Sequence, residues 1–310
     1  MSIAPVVLRS NFSDLFSSSA LPALEEMFRH NLQLQSAIRG QLFNMRSTDR
    51  DIWQASEMGD LQNFVQVNEG EDYTFVRPRA GANKTLTPLK YGLGVSFSEE
   101  VIEDGKFEFI SDSVSKLAES AIDSQENAAL NMFNNGFSTA TTWDGVALFS
   151  ASHTTPSGLS VRNKLSVDAD LSQSSLDTMR SDFEKCQISD SGKYRMIKPR
   201  ILLVHSDSRR YADELLNSSN KPDSMDNNLN SMKGEGLIVL SSPRLTDTDA
   251  WFMLGAAKDT GLQVISRKGI ETKAAGPDAG FINDSIMYKS RYREIVGLTH
   301  YYGVFGTSGS

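Results

Sequence analysis

The stretch FEFISDSVSKLAESAIDSQENAALNMFN, residues 107–134, decides how the rest of this sequence is organised. It follows the turn-forming pair Asp104-Gly105 and ends just before Asn135-Gly136, where glycine adopts the left-handed conformation that terminates helices. Its apolar residues recur at gaps of three and four, which places them on one helical face. They are Ile110, Val114, Leu117, Ala118, Ala121, Ile122, Ala128, Ala129, Met132 and Phe133. We therefore predict one uninterrupted helix, roughly 40 Å long, that lines a core.

The composition is that of an ordinary globular protein. The chain has 310 residues, of which 39% are hydrophobic and 23% charged. It contains no apolar run near the ~20 residues that span a bilayer, and it does not open with a recognisable signal peptide. Cys186 is the only cysteine, so an intrachain disulfide is excluded. These features predict synthesis in the cytoplasm.

The charge balance argues against a tight nucleic-acid binder. The formal net charge is −8, whereas proteins that bind duplex DNA are usually basic because phosphate neutralisation supplies much of their affinity. We expect no tight or specific binding of DNA, although an acidic surface can lie beside packed nucleic acid without sticking to it.

Before the long helix, the sequence contains two segments with different hydrophobic periods. Residues 1–54 have a moderate helical period between Leu21 and Phe43, and they predict either an ordinary N-terminal helix or an arm that packs on a neighbour. Residues 55–98 instead show a period of two, typical of β-strands. The alternating residues are Val65, Val67, Tyr73 and Phe75, then Leu89, Tyr91, Leu93, Val95 and Phe97. We predict a long β-hairpin that turns at 79–83 and must lie on something else, because an isolated two-stranded ribbon is not stable in water.

After the long helix in sequence, a loop-rich segment (136–164) precedes a second α/β unit. Its predicted helices begin near Ser174 and Asp207, and the apolar run Ile201-Leu202-Leu203-Val204 predicts a buried strand. The polar segment 217–236 is long for a loop inside a compact domain. Further strands are expected at 237–240, 251–254, 262–266 and 286–301.

A search for catalytic chemistry gives little. No phosphate-binding, dinucleotide-binding, zinc or nucleophile-elbow motif occurs. His153 stands beside Ser152, but a catalytic triad is assembled from separate segments, so we expect His153 to hydrogen-bond within its loop. Cys186 is expected in the core, and Asp247 with Asp249 are too few carboxylates for a metal site. We therefore predict no catalytic residues and no cofactor or metal.

Several short motifs and the order of elements carry a resemblance. The motifs are Glu99–Gly105 before the long helix, Glu126-Asn127 within it, and the run WDGVALFSASH at 143–153. The sequence resembles the major capsid proteins of tailed bacteriophages, which have the Hong Kong 97 fold, and is most similar to Mu-like major head subunits. The resemblance implies an α+β fold with an N-terminal arm (1–54), an extended loop (55–98), a spine helix (107–134), a peripheral domain (99–169 and 266–310) and an axial domain (170–265).

The resemblance also implies a function and partners. Copies would assemble as pentamers and hexamers into an icosahedral or prolate shell around double-stranded DNA, in a virion assembled in the host cytoplasm. A separate scaffolding protein is implied, since no scaffolding segment precedes the arm, and so are a maturation protease and a portal. Lys84 and Lys90 lie in the hairpin, but we do not carry over the Lys–Asn cross-linking of the family's namesake. The predicted subunit-interface residues are Leu86, Leu89 and Tyr91 in the hairpin and Asn227, Asn228 and Asn230 around the capsomer axis, whereas Val95 and Phe97 belong to the subunit core.

Two alternatives stay open. A shell of the encapsulin kind has the same fold but packages enzymes rather than DNA. A hydrolase using His153 or His205 with a nearby serine belongs to a different functional class altogether.

Overall fold

A computed structural model describes residues 20–34, 38–77, 79–98, 100, 101, 104, 107–220, 229, 230, 232–274 and 285–310. The fold is α+β, as predicted from the sequence. The helices are α1 (Ala20–Leu34), α2 (Arg39–Leu42), α3 (Phe107–Asn134), α4 (Gln173–Lys185) and α5 (Arg209–Asn217). The strands are β1 (Asn44–Ser47), β2 (Trp53–Met58), β3 (Ala80–Leu86), β4 (Leu89–Ser98), β5 (His153–Thr154), β6 (Ser160–Val161), β7 (Ile201–His205), β8 (Ile238–Ser242), β9 (Trp251–Leu254), β10 (Leu262–Ala274), β11 (Ser285–Leu298) and β12 (Val304–Thr307).

Helix α3 has the predicted bounds. The chain divides into two compact units, and α3 contributes residues 107–126 to the first and 127–134 to the second. Val114 and Ala118 are fully buried in the first unit, and Ala129 and Phe133 are fully buried in the second. Glu126 is buried as well, although it is charged.

The first unit comprises residues 1–37, 88–126 and 266–294. Its core joins Phe28 of α1, Val114 and Leu117 of α3, and Tyr288 of β11. Helix α1 is fixed further because the Asn31 side-chain amide donates to the Ser115 hydroxyl at 2.7 Å. Over these residues, therefore, the N-terminal segment packs on its own chain as an ordinary helix.

The strands of this unit are β4 and the larger parts of β10 and β11, which belong to a four-stranded sheet with the order β1-β10-β11-β4. Strands β4 and β11 are antiparallel, with Phe97 opposite Ile286, Val95 opposite Tyr288 and Leu89 opposite Glu294. The predicted hairpin partner of β4 is therefore wrong: residues 89–98 pair with β11 rather than with residues 61–76, which form no strand.

The second unit comprises residues 38–87, 127–265 and 295–310. Its sheet has the order β12-β9-β7-β8, in which β7 and β8 are parallel and the other pairs antiparallel. Strand β7 is the buried strand predicted from its apolar run. Ile201 and Leu203 lie in one hydrophobic cluster, and Leu202 and Val204 lie in another. Both faces of the strand are covered, which explains why its sequence does not alternate.

Candidate functional site

The second unit carries a ribbon with a long exposed loop. Strands β2 and β3 pair antiparallel, with Trp53 opposite Leu86 and Ala55 opposite Lys84. The loop between them contains the turn Asn68–Glu71, in which the Glu71 N–H donates to the Asn68 carbonyl at 3.1 Å. Gly70 has φ +87°, as the third position of a type II turn requires. The turn therefore lies at 68–71, and the prediction of a turn at 79–83 is wrong, since residues 80–83 belong to β3.

The loop exposes large apolar side chains. Phe64 is fully exposed, Phe75 is 94% exposed and Tyr73 is 75% exposed, and Leu61 and Val65 are exposed as well. Monomeric proteins rarely present so many large apolar groups on one contiguous segment. Residues 60–76 also contain the acidic residues Asp60, Glu69, Glu71 and Asp72 and no lysine, arginine or histidine. This loop thus has the character of an interaction surface, apolar along its sides and acidic at its tip.

The base of the ribbon is fixed to its own unit. The Gly59 N–H donates to the Arg79 carbonyl at 2.8 Å, and the Lys193 amine donates to the Leu61 carbonyl at 2.7 Å. The Lys84 amine donates to the Thr141 carbonyl at 3.0 Å and to its hydroxyl at 3.1 Å. The ribbon is therefore held at its base, and its exposed loop extends beyond these contacts.

A buried polar cluster lies where the ribbon meets the unit. Burial, together with the Asp190 and Asp144 carboxylates, raises the pKa of Glu57, although the Ala82 N–H and Arg195 act in the opposite direction. The Arg195 guanidinium lies 3.9 Å from the centre of the Tyr302 ring. Sequence analysis missed this cluster, because its members are scattered along the chain and form no motif.

The neighbouring His300 belongs to the same cluster. Its ring packs against those of Trp143 and Tyr302, at 5.5 and 5.3 Å between ring centres. Burial and the positive charge of Arg195 lower the pKa of His300 to about 4. The imidazole is therefore neutral at neutral pH.

His153 is a structural residue. Its ring is completely buried, stacks on Tyr301 at 4.0 Å between ring centres, and places Nδ1 2.7 Å from Asp144 Oδ2. Its Nε2 lies 3.2 Å from Asn163 Oδ1. Burial raises the pKa of Asp144, but hydrogen bonds from His153 and Thr142 outweigh that effect and lower it. The predicted hydrogen-bonding role of His153 is thus confirmed, and a substrate has no access to the ring.

His205 also lacks the arrangement of a catalytic base. Its Nδ1 faces the backbone N–H of Asp207 at 3.2 Å and the Asp207 carboxylate at 3.3 Å. Both contacts come from the turn that follows β7, so Nδ1 of His205 is engaged within that turn.

The described ranges contain neither a metal-binding cluster nor a helix able to cross a membrane. No group of three or more His, Cys, Asp or Glu side chains in those ranges is placed to hold a metal ion. No helix there has both the length and the apolarity needed to cross a bilayer.

The predicted hairpin interface residues divide into two groups. Leu89 and Tyr91 on β4 are 53% and 41% exposed, and the Tyr91 ring stacks on Tyr292 at 5.1 Å. Leu86 is only 5% exposed and lies close to the backbone of Gly297. Leu86 therefore has little surface left for a neighbour. Phe97 is buried in its own chain, as expected for a core residue.

The three asparagines predicted to lie around the capsomer axis also divide into two groups. Asn227 and Asn228 lie outside the described residues. Asn230 is buried, and its amide donates to the Leu215 carbonyl at 2.7 Å and to the Ser218 carbonyl at 3.3 Å. Asn230 therefore fastens the polar segment to the end of α5, because a buried amide needs such partners, and its side chain is not free to meet another subunit.

Comparison with known proteins adds a family and a fold. The profile of a family described as phage capsid protein matches residues 82–306, well over half of the chain. The sequence has no match among curated proteins.

Three solved structures illustrate the fold. The chain is similar to the capsid of cyanophage P-SCSP1u, with a TM-score of 0.58, 10% identity and 89% of each chain covered. It is similar to a structure from Microbacterium phage Oxtober96, with a TM-score of 0.57, 12% identity and coverage of 89% of this chain and 92% of the other. It is also similar to a virus-like particle from Pyrococcus furiosus, with a TM-score of 0.54, 9% identity and coverage of 93% and 99%. At such low identities these likenesses concern the fold alone.

Proposed function

This chain belongs to the phage capsid protein family, and we propose that its copies assemble as hexamers and pentamers into an icosahedral or prolate shell around double-stranded DNA. As a major capsid protein it is a structural component of the virion. We propose that it has no catalytic activity and that its role is geometric, with one fold repeated across the shell.

The observation that carries the assembly proposal is the exposed loop on β2 and β3. A side chain such as Phe75 or Phe64 gains about 1.5–3 kcal/mol when it is fully buried, yet both remain in solvent in the single chain. The pinned base holds the loop in place, so less conformational freedom is lost when a neighbour covers it. A second copy of the chain is the partner that a shell always supplies.

Domain roles follow from the same family. We assign the spine helix to 107–134, the peripheral domain to 99–169 and 266–310, the axial domain to 170–265, the arm to 1–54 and the extended loop to 55–98. Within the last segment, β2, β3 and the loop joining them take the role first given to a hairpin containing β4. We retain Leu89, Tyr91, Asn227 and Asn228 as proposed contacts between subunits.

Further partners are proposed from the family rather than from contacts in the structure. They are a separate scaffolding protein, a maturation protease and a portal, with assembly in the host cytoplasm. The packaged DNA would touch the shell without tight or specific binding, in keeping with the net charge of −8. The narrower resemblance to Mu-like head subunits remains a prediction.

One alternative concerns the cargo. The likeness to the virus-like particle from Pyrococcus furiosus shows that the fold also serves other particles, so an enzyme-packaging shell is the second candidate. The match to the phage capsid family favours DNA. The hydrolase alternative is not proposed, because the His153 ring is completely buried and Nδ1 of His205 is engaged by Asp207 in the adjacent turn.

Electron microscopy of the purified protein tests the proposal. We expect rings or closed shells at high protein concentration, alone or with the scaffolding protein expressed from the same genome. A strictly monomeric protein under both conditions, measured by sedimentation, would overturn it. Nucleic acid or enzyme recovered from purified shells separates the two kinds of cargo.

A further inference from the structure

The base of the ribbon contains a buried acidic side chain. Glu57 of β2 is 8% exposed, although the loop that joins β2 to β3 lies in solvent. Its side chain lies over the backbone of Gly81 in β3, where a Cβ would meet Glu57 Oε2 at 2.5 Å, and its carboxylate accepts from the Ala82 N–H. Glu57 therefore belongs to the ribbon, and its carboxyl group is shielded from water while the ribbon lies on its unit.

The unit presents further carboxyl groups to Glu57. Asp190 is also 8% exposed, and its carboxylate is fixed because it accepts from the Ser157 N–H. Its Oδ2 lies against the ribbon, 2.8 Å from where a Cβ on Gly59 would stand. Asp144, held by His153 at 2.7 Å, acts on Glu57 as well. Ionisation of Glu57 would therefore place a buried negative charge beside two other acidic groups, where charges are poorly screened.

The other charged and titratable groups around Glu57 do not cancel this repulsion. Arg195 favours the ionised form of Glu57, but its guanidinium also lies 3.6 Å from Asp60 and 3.9 Å from the centre of the Tyr302 ring. The Tyr301 hydroxyl donates to that of Tyr302 at 3.4 Å, and burial raises the pKa of both tyrosines, so both are neutral. The net result is that the pKa of Glu57 lies above its ordinary value of 4.5.

We propose that protonation of Glu57 latches the ribbon to its unit, so that the base is held firmly while the carboxyl group carries a proton and loosens when it ionises. Because the seated ribbon raises the pKa of Glu57, this stabilisation is complete below the ordinary value of 4.5 and is lost as the pH rises through the raised value. In this window, the equilibrium between seated and released ribbon can change by up to about tenfold per pH unit. The latch is a property of the single chain and goes beyond the proposed function.

Hydrogen exchange in the unassembled, full-length subunit tests the latch. A released two-stranded ribbon is not stable in water, so the backbone amides of β2 and β3 exchange whenever the base opens. Their protection factors are measured between about pH 5 and pH 8, with the intrinsic pH dependence of exchange divided out and with β7 as the internal reference. Glu57→Gln, which mimics the protonated side chain, is the test variant. Glu69→Gln removes the same charge from the exposed loop and is the matched control.

The latch predicts a particular pattern among the variants. In the unmodified chain and in Glu69→Gln, protection of the ribbon should fall by at least about threefold as the pH rises through this range, whereas Glu57→Gln should keep it high. Asp190→Asn, which retains an oxygen for the Ser157 N–H, should show a smaller fall, because Glu57 then ionises beside one acidic group fewer. The lowered pKa of His300 acts with the opposite sign, so the variants are compared with the unmodified chain at each pH.

Two results would overturn the latch. One is an equal loss of protection in Glu57→Gln and in the unmodified chain. The other is a loss in β7 that matches the loss in the ribbon, since the whole unit would then be opening. Should Glu57→Gln fail to fold, an undiminished fall in Asp190→Asn would overturn the latch instead. Shell formation is scored separately by microscopy, so failure of the latch leaves the proposed function in place.

Discussion

Replacing Phe75 or Phe97 by alanine makes the same chemical change in two opposite environments. Phe97 is 5% exposed and meets the Phe109 ring edge to face at 6.2 Å. Truncating a phenylalanine in a core costs about 3–5 kcal/mol, from the lost burial and the cavity left behind. Phe75 is 94% exposed, and a surface change of this kind stays within about 0.5 kcal/mol. We therefore expect Phe97→Ala to destabilise the unassembled subunit and Phe75→Ala to leave its stability unchanged.

The effect of the two substitutions on assembly should differ from their effect on subunit stability. Urea unfolding of the unassembled subunit gives the free energy of unfolding, and negative-stain microscopy at matched concentrations of folded subunit gives the particle yield. Phe75→Ala should lose particles at full subunit stability, because its ring contributes only after a second copy covers it. Normal particle yield for Phe75→Ala, or a loss of stability above about 2 kcal/mol, would refute the reasoning that the loop acts between subunits.

The remaining predictions concern other parts of the fold. His153→Ala leaves the buried Asp144 carboxylate without its imidazole partner, so the unfolding free energy should fall by about 3 kcal/mol or more, and an unchanged melting temperature would contradict the structural role. The pKa of His300 is lowered to about 4 in the native chain, so between pH 6.5 and 4 the unfolded chain takes up a proton that the native chain does not. The free energy of unfolding should therefore decrease as the pH is lowered through this range, and it should decrease less steeply in His300→Gln. Replacing residues 221–228 by a short Gly/Ser linker should leave a folded subunit but impair the formation of rings, and normal rings from this variant would contradict the proposed contacts around the capsomer axis. Asn230→Ala should instead lower the free energy of unfolding of the subunit by about 1–3 kcal/mol.

The sequence predicted well the elements that are defined locally. Helix α3 carries its own pattern and its own stop at Asn135-Gly136, so its bounds match Phe107–Asn134. Strands β7 and β9 were equally visible, because a short apolar run bounded by polar residues has few other structures open to it. For such elements, the information lies within one stretch of chain.

Strand pairing was less accessible. Alternation marks β4 as a strand, but it does not say which strand lies beside it, and the partner of residues 89–98 is at 285–294, far along the chain. The turn at 68–71 is hard to recognise for a related reason: Asn68, Gly70 and Glu71 favour a turn, but so do the glycine and asparagine of residues 79–83, which lie nearer the β4 pattern. Two periodic segments that are neighbours in sequence suggest one hairpin, whereas β3 pairs with β2 and β4 pairs with β11.

The candidate site shows the same limit. Exposure of Leu89 and Tyr91 and burial of Phe97 could be expected from their distance along the strand, and the structure places them so. The burial of Asn230 could not be expected, because its hydrogen bonds run to carbonyl groups at the end of α5. A polar residue in a polar segment gives no sign that its amide is needed inside.

The tolerance to sequence change differs between the base and the tip of the ribbon formed by β2 and β3. At its base, a side chain on Gly59 would meet Asp190 Oδ2 at 2.8 Å, and one on Gly81 would meet Glu57 Oε2 at 2.5 Å. At its tip, lengthening an unpacked loop costs only about 0.6 kcal/mol for each doubling. Insertions and deletions near residues 68–71 can therefore accumulate in related lineages without harming the folded subunit, whereas the base tolerates little change. The reach of the loop, and with it the spacing between neighbouring copies, can evolve independently of the fold that carries it.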